Sequence, residues 1–351
     1  MKMPRLAAVA TAVPPYVLHQ DEVLERAARL FDRRRSEIER LLPVFRNAGI
    51  DTRYSCVPIE WYAHDHGWAE RNRLYVENAV ILLEAAAREC LARAGRSFGD
   101  IDAIVTVSTT GISTPSLDAL LMERLPLRRD VVRLPVFGLG CAGGVLGLAR
   151  AAALARAEPG SRVLFLVVEL CALTFRKNDQ SKSNIIATAL FGDGAAAALL
   201  DSGDVGLAIT GSGEYTWPGS LDVMGWQVQD DGLGVLFSRD IPTLVRTQFR
   251  AAADRFLAMR GLTVRDIEAF VCHPGGAKVI DALEEAFALA PGTLVKARSV
   301  LRDYGNMSAA TVMFVLERML AETAGTRRRY LMTALGPGFT AAFVTLEGLP
   351  A

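Results

Sequence analysis

The chain has 351 residues, 51% of them hydrophobic, which is enough for two ordinary domains or one large duplicated unit around a sizeable apolar core. Its 39 Lys and Arg balance 39 Asp and Glu, so no net charge draws it to nucleic acid or an anionic membrane, although local patches can still meet small anions. The five cysteines, at 56, 90, 141, 171 and 272, include no CxxC pair, which argues against a disulfide framework or a zinc site and fits a reducing cytoplasmic location.

Leu6–Val13 follows Lys2 and Arg5 and runs straight into Pro14-Pro15, so its alternation suits a first buried strand rather than a secretory signal. Residues 21–46 carry helical spacing among many charges (Val23, Leu24, Ala27, Leu30, Phe31), and 75–95 repeat the pattern up to Gly95, predicting two amphipathic helices. "DIDAIVTVSTTG", from Asp100, and "RVLFLVVEL", from Arg162, are apolar, β-branched runs of the kind buried in an α/β sheet. From about residue 204 the same grammar restarts with a strand-like "VGLAITGSGE", a helix from Thr243 to Met259, "DIEAFVCHPGG" and a helix over 276–288. "DIDAIVTV" and "DIEAFVCH" echo one another, each after a glycine-containing helix end, which suits two related halves, 1–203 and 204–351, packed as one unit. No run of 18 uncharged apolar residues occurs, so no membrane span is expected.

The sharpest local signal is "VFGLGCAGGVLGLARAAALARA", where a strand-like run ends in Gly138 and Gly140, Cys141 follows, and a long helix begins at once. A cysteine at such an elbow lies near free N–H groups and a helix N-terminus that favour thiolate, and the glycines allow a tight turn and close approach of a carbonyl. The other four cysteines read as small buried hydrophobes. Of four histidines, His19 sits in a polar turn, and His64 and His66 lie in a charged stretch beside Trp61 and Trp68. His273 instead closes the strand "EAFVC" before Pro274-Gly275-Gly276, which aims it out of a sheet edge towards a cleft. Asn306, in "YGNMSAATVMFVLERML", precedes an amphipathic helix and by itself reads as an N-cap.

Taken together, "GLGCAGG", "CHPGG", "YGNMSAA" and "GPGF" at 336–339 resemble, in order and approximate spacing, the thiolase-like condensing enzymes. With "LTFRKNDQSKSNIIATALFGDGAAA" at 173–197, nearly the whole chain resembles the type III polyketide synthases, the chalcone-synthase-like family, in their bacterial alkylpyrone and alkylresorcinol form. The resemblance implies a thiolase-like α/β fold of two related halves in five αβαβα layers, acting as a homodimer, with acyl- and malonyl-coenzyme A as substrates and no further cofactor or metal. It implies that Cys141 accepts the starter acyl group, while His273 and Asn306 bind the thioester carbonyl and promote decarboxylation. His273 would also pair with the Cys141 thiolate. Phe191 matches one of two gating phenylalanines and Val235 stands at the second, a departure that would open a longer acyl passage. Thr109, Thr110, Thr114 and Thr174 match cavity-lining positions, with Thr114 reaching the partner subunit, and Gly336, Pro337, Gly338 and Phe339 of the "GPGF" motif are likewise carried over as substrate-pocket residues; threonine also favours plain strand packing. Arg40, Arg46, Gly305 and Ser308 are candidates for holding the coenzyme A thioester, although Pro43 and Asn47 stand where basic residues are expected and the arginines suit a solvated helix face equally well.

Three functions remain in view at this stage: a type III synthase that extends a medium- or long-chain fatty acyl starter with malonyl units and cyclises it to an alkylpyrone or alkylresorcinol; a ketoacyl synthase that condenses once in fatty-acid synthesis, with acyl delivery from a carrier protein; and a non-catalytic acyl-binding subunit. Retention of Cys141, His273 and Asn306 disfavours the last. The absence of HExxH disfavours a metal hydrolase, and the "LFGDG" and "GPG" motifs are unexplained by a cysteine protease.

Overall fold

A computed structural model describes residues 3–30, 43–201, 203, 206–238, 240–323 and 328–348. The first half opens with β1 (Arg5–Ala12), the short β2 (Tyr16–His19) and α1 (Gln20–Leu30), followed by β3 (Thr52–Ser55). The helix expected over 21–46 is therefore seen as α1 and a separate turn at Pro43–Arg46, with 31–42 outside the described residues. Next comes α2 (Trp68–Ala94), which begins seven residues before its expected start and stops where Gly95 turns left-handed at φ 61°. Then follow β4 (Ala103–Val107), β5 (Val132–Val136), α3 (Gly143–Ala157), β6 (Val163–Leu170), α4 (Lys182–Leu190) and β7 (Asp193–Asp201). Every residue of β6 is buried, because its run, apolar except for Glu169, is covered on both faces.

The second half supplies β8 (Leu207–Thr216), the hairpin β9 (Met224–Gln229) and β10 (Gly232–Phe237), and α5 (Arg250–Ala258). A helical lead-in from Ile241, with Pro242 in its first turn and a π-turn over Val245–Phe249, precedes α5, so the expected helix begins two residues earlier than Thr243. The chain continues through β11 (Ala269–Cys272), α6 (Ala277–Phe287), α7 (Val295–Tyr304), α8 (Thr311–Thr323), β12 (Arg329–Gly336) and β13 (Thr340–Glu347).

The strand order β11-β12-β13-β8-β1-β7-β6-β4-β5 repeats itself outward from the β1–β8 junction. β1-β7-β6-β4 on one side answers β8-β13-β12-β11 on the other, with the same alternation of antiparallel and parallel pairs. The entry to each parallel strand repeats too. Gly95 and Gly261, both left-handed, are followed by capping boxes, Ser97 with Asp100 and Thr263 with Asp266, that lead into β4 and β11. Five layers result. α3 and α8 lie at the centre, α3 touching strands of both halves, while α2 covers β1, β6 and β7 and α5 covers β8 and β13 on the outside. No helix among the described residues is long and apolar enough to cross a membrane.

Candidate active site

The elbow predicted around Cys141 is built by interlocking both halves. After β5 the chain passes Gly138 at φ 92° and Gly140 at φ 48°, then makes a tight turn over Gly140–Ala142 that feeds directly into α3. A Cβ on Gly140 would stand 2.5 Å from Cδ of Pro337, and one on Gly336 would stand 2.5 Å from the Leu139 carbonyl. The "GPGF" turn between β12 and β13 is thus pressed against the elbow, and only hydrogen fits at either glycine. The Gly140 N–H donates to Oγ1 of Thr109 at 3.1 Å, and Phe339 anchors the far side by stacking on Trp217. Thr109 and Thr110 serve this scaffold: the Thr110 hydroxyl accepts from the Leu170 N–H at 2.9 Å.

Cys141, His273 and Asn306 come together on one cavity of about 480 Å³, bounded also by Thr333, Ala334 and Leu335 of β12. His273 leaves the end of β11, its N–H donating to the Thr333 carbonyl at 2.9 Å. Its imidazole is 4% exposed and neither ring nitrogen has a partner, so burial pushes it down to about 3 and it stands neutral at pH 7. Burial likewise pushes the Cys141 thiol up to about 12, opposed by a hydrogen bond from Ser308. Asn306 is fixed on both sides: Nδ2 donates to the Gly275 carbonyl at 3.2 Å and Oδ1 accepts the Ser308 N–H at 2.9 Å. Its Oδ1 thus closes an Asx turn onto Ser308, while the N-cap of Ser308–Ala310 is Met307, and the amide still presents a second N–H. Ser308 holds φ 45°, a left-handed conformation that non-glycine residues seldom adopt and that sets its hydroxyl against Cys141. Gly305, at φ 68°, precedes Asn306 where a Cβ would meet the Leu190 carbonyl at 2.9 Å.

Glu169 escaped the sequence analysis. It is fully buried on β6, accepts the Thr109 N–H at 3.0 Å, and is pushed up to about 8 by burial against hydrogen bonds from Thr109, Thr110 and Ala309. Its charge also raises the Cys141 thiol. The signal was present as the single carboxylate in "VLFLVVEL".

The comparisons agree with this geometry. Residues 3–204 match the chalcone and stilbene synthase N-terminal domain and 210–350 the C-terminal domain. A Bacillus subtilis protein carrying a provisional chalcone synthase name is 41% identical, over 95% of this chain and 96% of its own. A 1,3,6,8-tetrahydroxynaphthalene synthase of Streptomyces peucetius is 37% identical over 97% of this chain and 92% of its own. The crystal structure of the Streptomyces coelicolor tetrahydroxynaphthalene synthase, a bacterial type III polyketide synthase, superposes with a TM-score of 0.91 at 28% identity, covering 99% of each chain.

The chain is a type III polyketide synthase. It is an acyltransferase of the decarboxylative condensing class on a thiolase-like fold.

In this synthase α4 is the wall between two cavities. Lys182, Ile186 and Leu190 face the catalytic one, whereas Ala187, Thr188 and the following Phe191 face a second, of about 240 Å³, lined also by Cys171 and Thr174. Phe191 is pinned by a bridge to Asn306 and packs against Trp226 and Phe237, with ring centroids 6.0 and 5.7 Å away. Val235 joins that cluster, paired with Trp226 across the hairpin, but it is Phe237 that lines the catalytic cavity. Thr114 is exposed in the loop before Pro115. Arg46 is exposed and does not line the catalytic cavity, whereas Pro43, Val44 and Asn47 do; Arg40 lies outside the described residues.

Proposed function

We propose that this synthase loads a medium- or long-chain fatty acyl group from coenzyme A onto Cys141, extends it with malonyl-coenzyme A, and cyclises the chain to an alkylpyrone or alkylresorcinol. The Cys141 thiolate attacks the starter carbonyl and expels the coenzyme A thiolate. Malonyl-coenzyme A loses carbon dioxide, and the enolate attacks the cysteine-bound acyl carbon, releasing the Cys141 sulfur. Neutral donors from His273 and Asn306 stabilise the enolate oxygen in a site that no carboxylate lines among the described residues.

The observation that carries the fatty starter is the second cavity. It is mostly apolar, lies behind Phe191 and reaches Cys171, giving an alkyl tail a place apart from the condensation site. Products from a ladder of acyl-coenzyme A starters, identified by mass spectrometry, are expected to be pyrones or resorcinols from the longer members. Ala187→Phe, or Thr188→Phe at a half-buried lining position, should cut products from long starters about tenfold more than those from acetyl-sized ones. Equal loss at every length would sink the fatty-starter reading. The aromatic cluster and the relatives' names favour a second reading, a hydroxylated ring without an alkyl tail. Formation of such a ring from malonyl-coenzyme A alone, with no use of longer starters, would select it.

The same reading includes a homodimer. β5 is the sheet's outer strand, and Val132 on it, with Phe137 and Ile112 beside it, exposes apolar surface. A second copy pairing there would extend the sheet. Val132→Glu should shift sedimentation towards the monomer, and a monomeric wild type would remove the idea.

A further inference from the structure

The catalytic cavity holds a charge asymmetry that the chain as a whole does not. Among the described residues two lysines line it, Lys182 at the first residue of α4 and Lys278 at the second of α6, and no Asp or Glu does. Both are exposed, and neither forms an ion pair among the described residues. Elsewhere on the surface cations are commonly neutralised, as Arg298 is by Asp281 and Glu284 of α6 itself. α6 adds to the asymmetry. It starts at Gly276 without a capping side chain or an acidic residue in its first turn, so its free N–H groups face the same opening. A cation in a first turn opposes the helix macrodipole, and an anion resolves that conflict. The same cavity is lined by His273, 4% exposed, with both ring nitrogens unpartnered, while the two lysines are exposed. The lining thus suits a ligand with an anionic part at the exposed lysines and a hydrogen-bonding group at the buried imidazole.

We infer that Lys182, Lys278 and the start of α6 bind the diphosphate of the coenzyme A thioester while its pantetheine arm reaches Cys141. The inference rests on the coenzyme A reading above. It takes the phosphate contact away from Arg46 and shares it between the two halves of the fold, one lysine from each. A single phosphate, such as that of a carrier-protein arm, would engage one lysine; two phosphates in series can engage both.

The test measures binding, which needs no turnover, by calorimetry on the full chain with coenzyme A, 4′-phosphopantetheine and pantetheine. Wild type is expected to prefer coenzyme A over 4′-phosphopantetheine, and that over pantetheine. In the double variant Lys182→Gln/Lys278→Gln the preference for coenzyme A over pantetheine should fall about tenfold or more, and its dependence on ionic strength should flatten. Lys182→Arg/Lys278→Arg should restore the preference. Unchanged coenzyme A affinity in the double Gln variant would overturn the site, as would equal weakening for all three probes. Wild type that binds 4′-phosphopantetheine as well as coenzyme A would overturn the diphosphate assignment. Failure of the starter ladder while the lysine-dependent preference persists would remove the proposed function and leave this site standing.

Discussion

Cys141→Ala is expected to form no covalent acyl-enzyme with any acyl-coenzyme A and to lose polyketide formation by at least about a thousandfold. The substitution removes one sulfur from a buried position at the head of α3, so the fold should survive it. The rival nucleophile is Cys171, which lines the second cavity where the alkyl tail is proposed to lie. Its thiol is held well above its ordinary value by burial and by the charges of Glu169 and Asp193, and it has no turn of glycines to admit a carbonyl. Peptide mapping of the protein after reaction with a long-chain acyl-coenzyme A checks this. Acyl label on Cys171 in the variant, or retained turnover, would overturn the assignment of Cys141.

How far the site was legible depends on how local its causes are. The elbow at Cys141 could be read because its glycines are required by backbone geometry within a few residues, and the structure gives the reason as the close approach of Pro337 and the Leu139 carbonyl. His273 stood out because only four histidines exist and one closes a strand. Asn306 could not be separated from an ordinary cap by its own sequence context; that it instead closes an Asx turn onto Ser308 and faces Gly275 and the cavity is visible only in the fold. The two halves showed themselves through one short echo, which the structure extends to matched glycines, capping boxes and strand pairings. Lys182 and Lys278 gave no signal, since they are 96 residues apart and meet only through packing of α4 against the second half. Val235 was read by itself, whereas its neighbours Trp226 across the hairpin and Phe237 two residues on are set beside it only by the fold.

His273 and Asn306 should separate when each is removed. With the Cys141 thiol pushed up to about 12, little thiolate exists at pH 7, and among the described residues His273 is the one other side chain lining that cavity able to take the proton there. Neither ring nitrogen has another partner, so the one that carries no proton is free to do so. Alkylation of Cys141 by iodoacetamide at neutral pH is therefore expected to slow at least about tenfold in His273→Ala and to regain rate as pH rises towards the thiol's own titration. Asn306 holds no proton in play. Asn306→Asp keeps the acceptor for the Ser308 N–H but replaces the amide donor with a carboxylate, so it should leave alkylation near wild type while cutting malonyl decarboxylation by about 10²–10³-fold. Wild-type alkylation in His273→Ala would show that the thiol is activated without the imidazole. Wild-type decarboxylation in Asn306→Asp would show that the amide stabilises no developing negative charge and that the residue acts only by holding the Ser308 N–H.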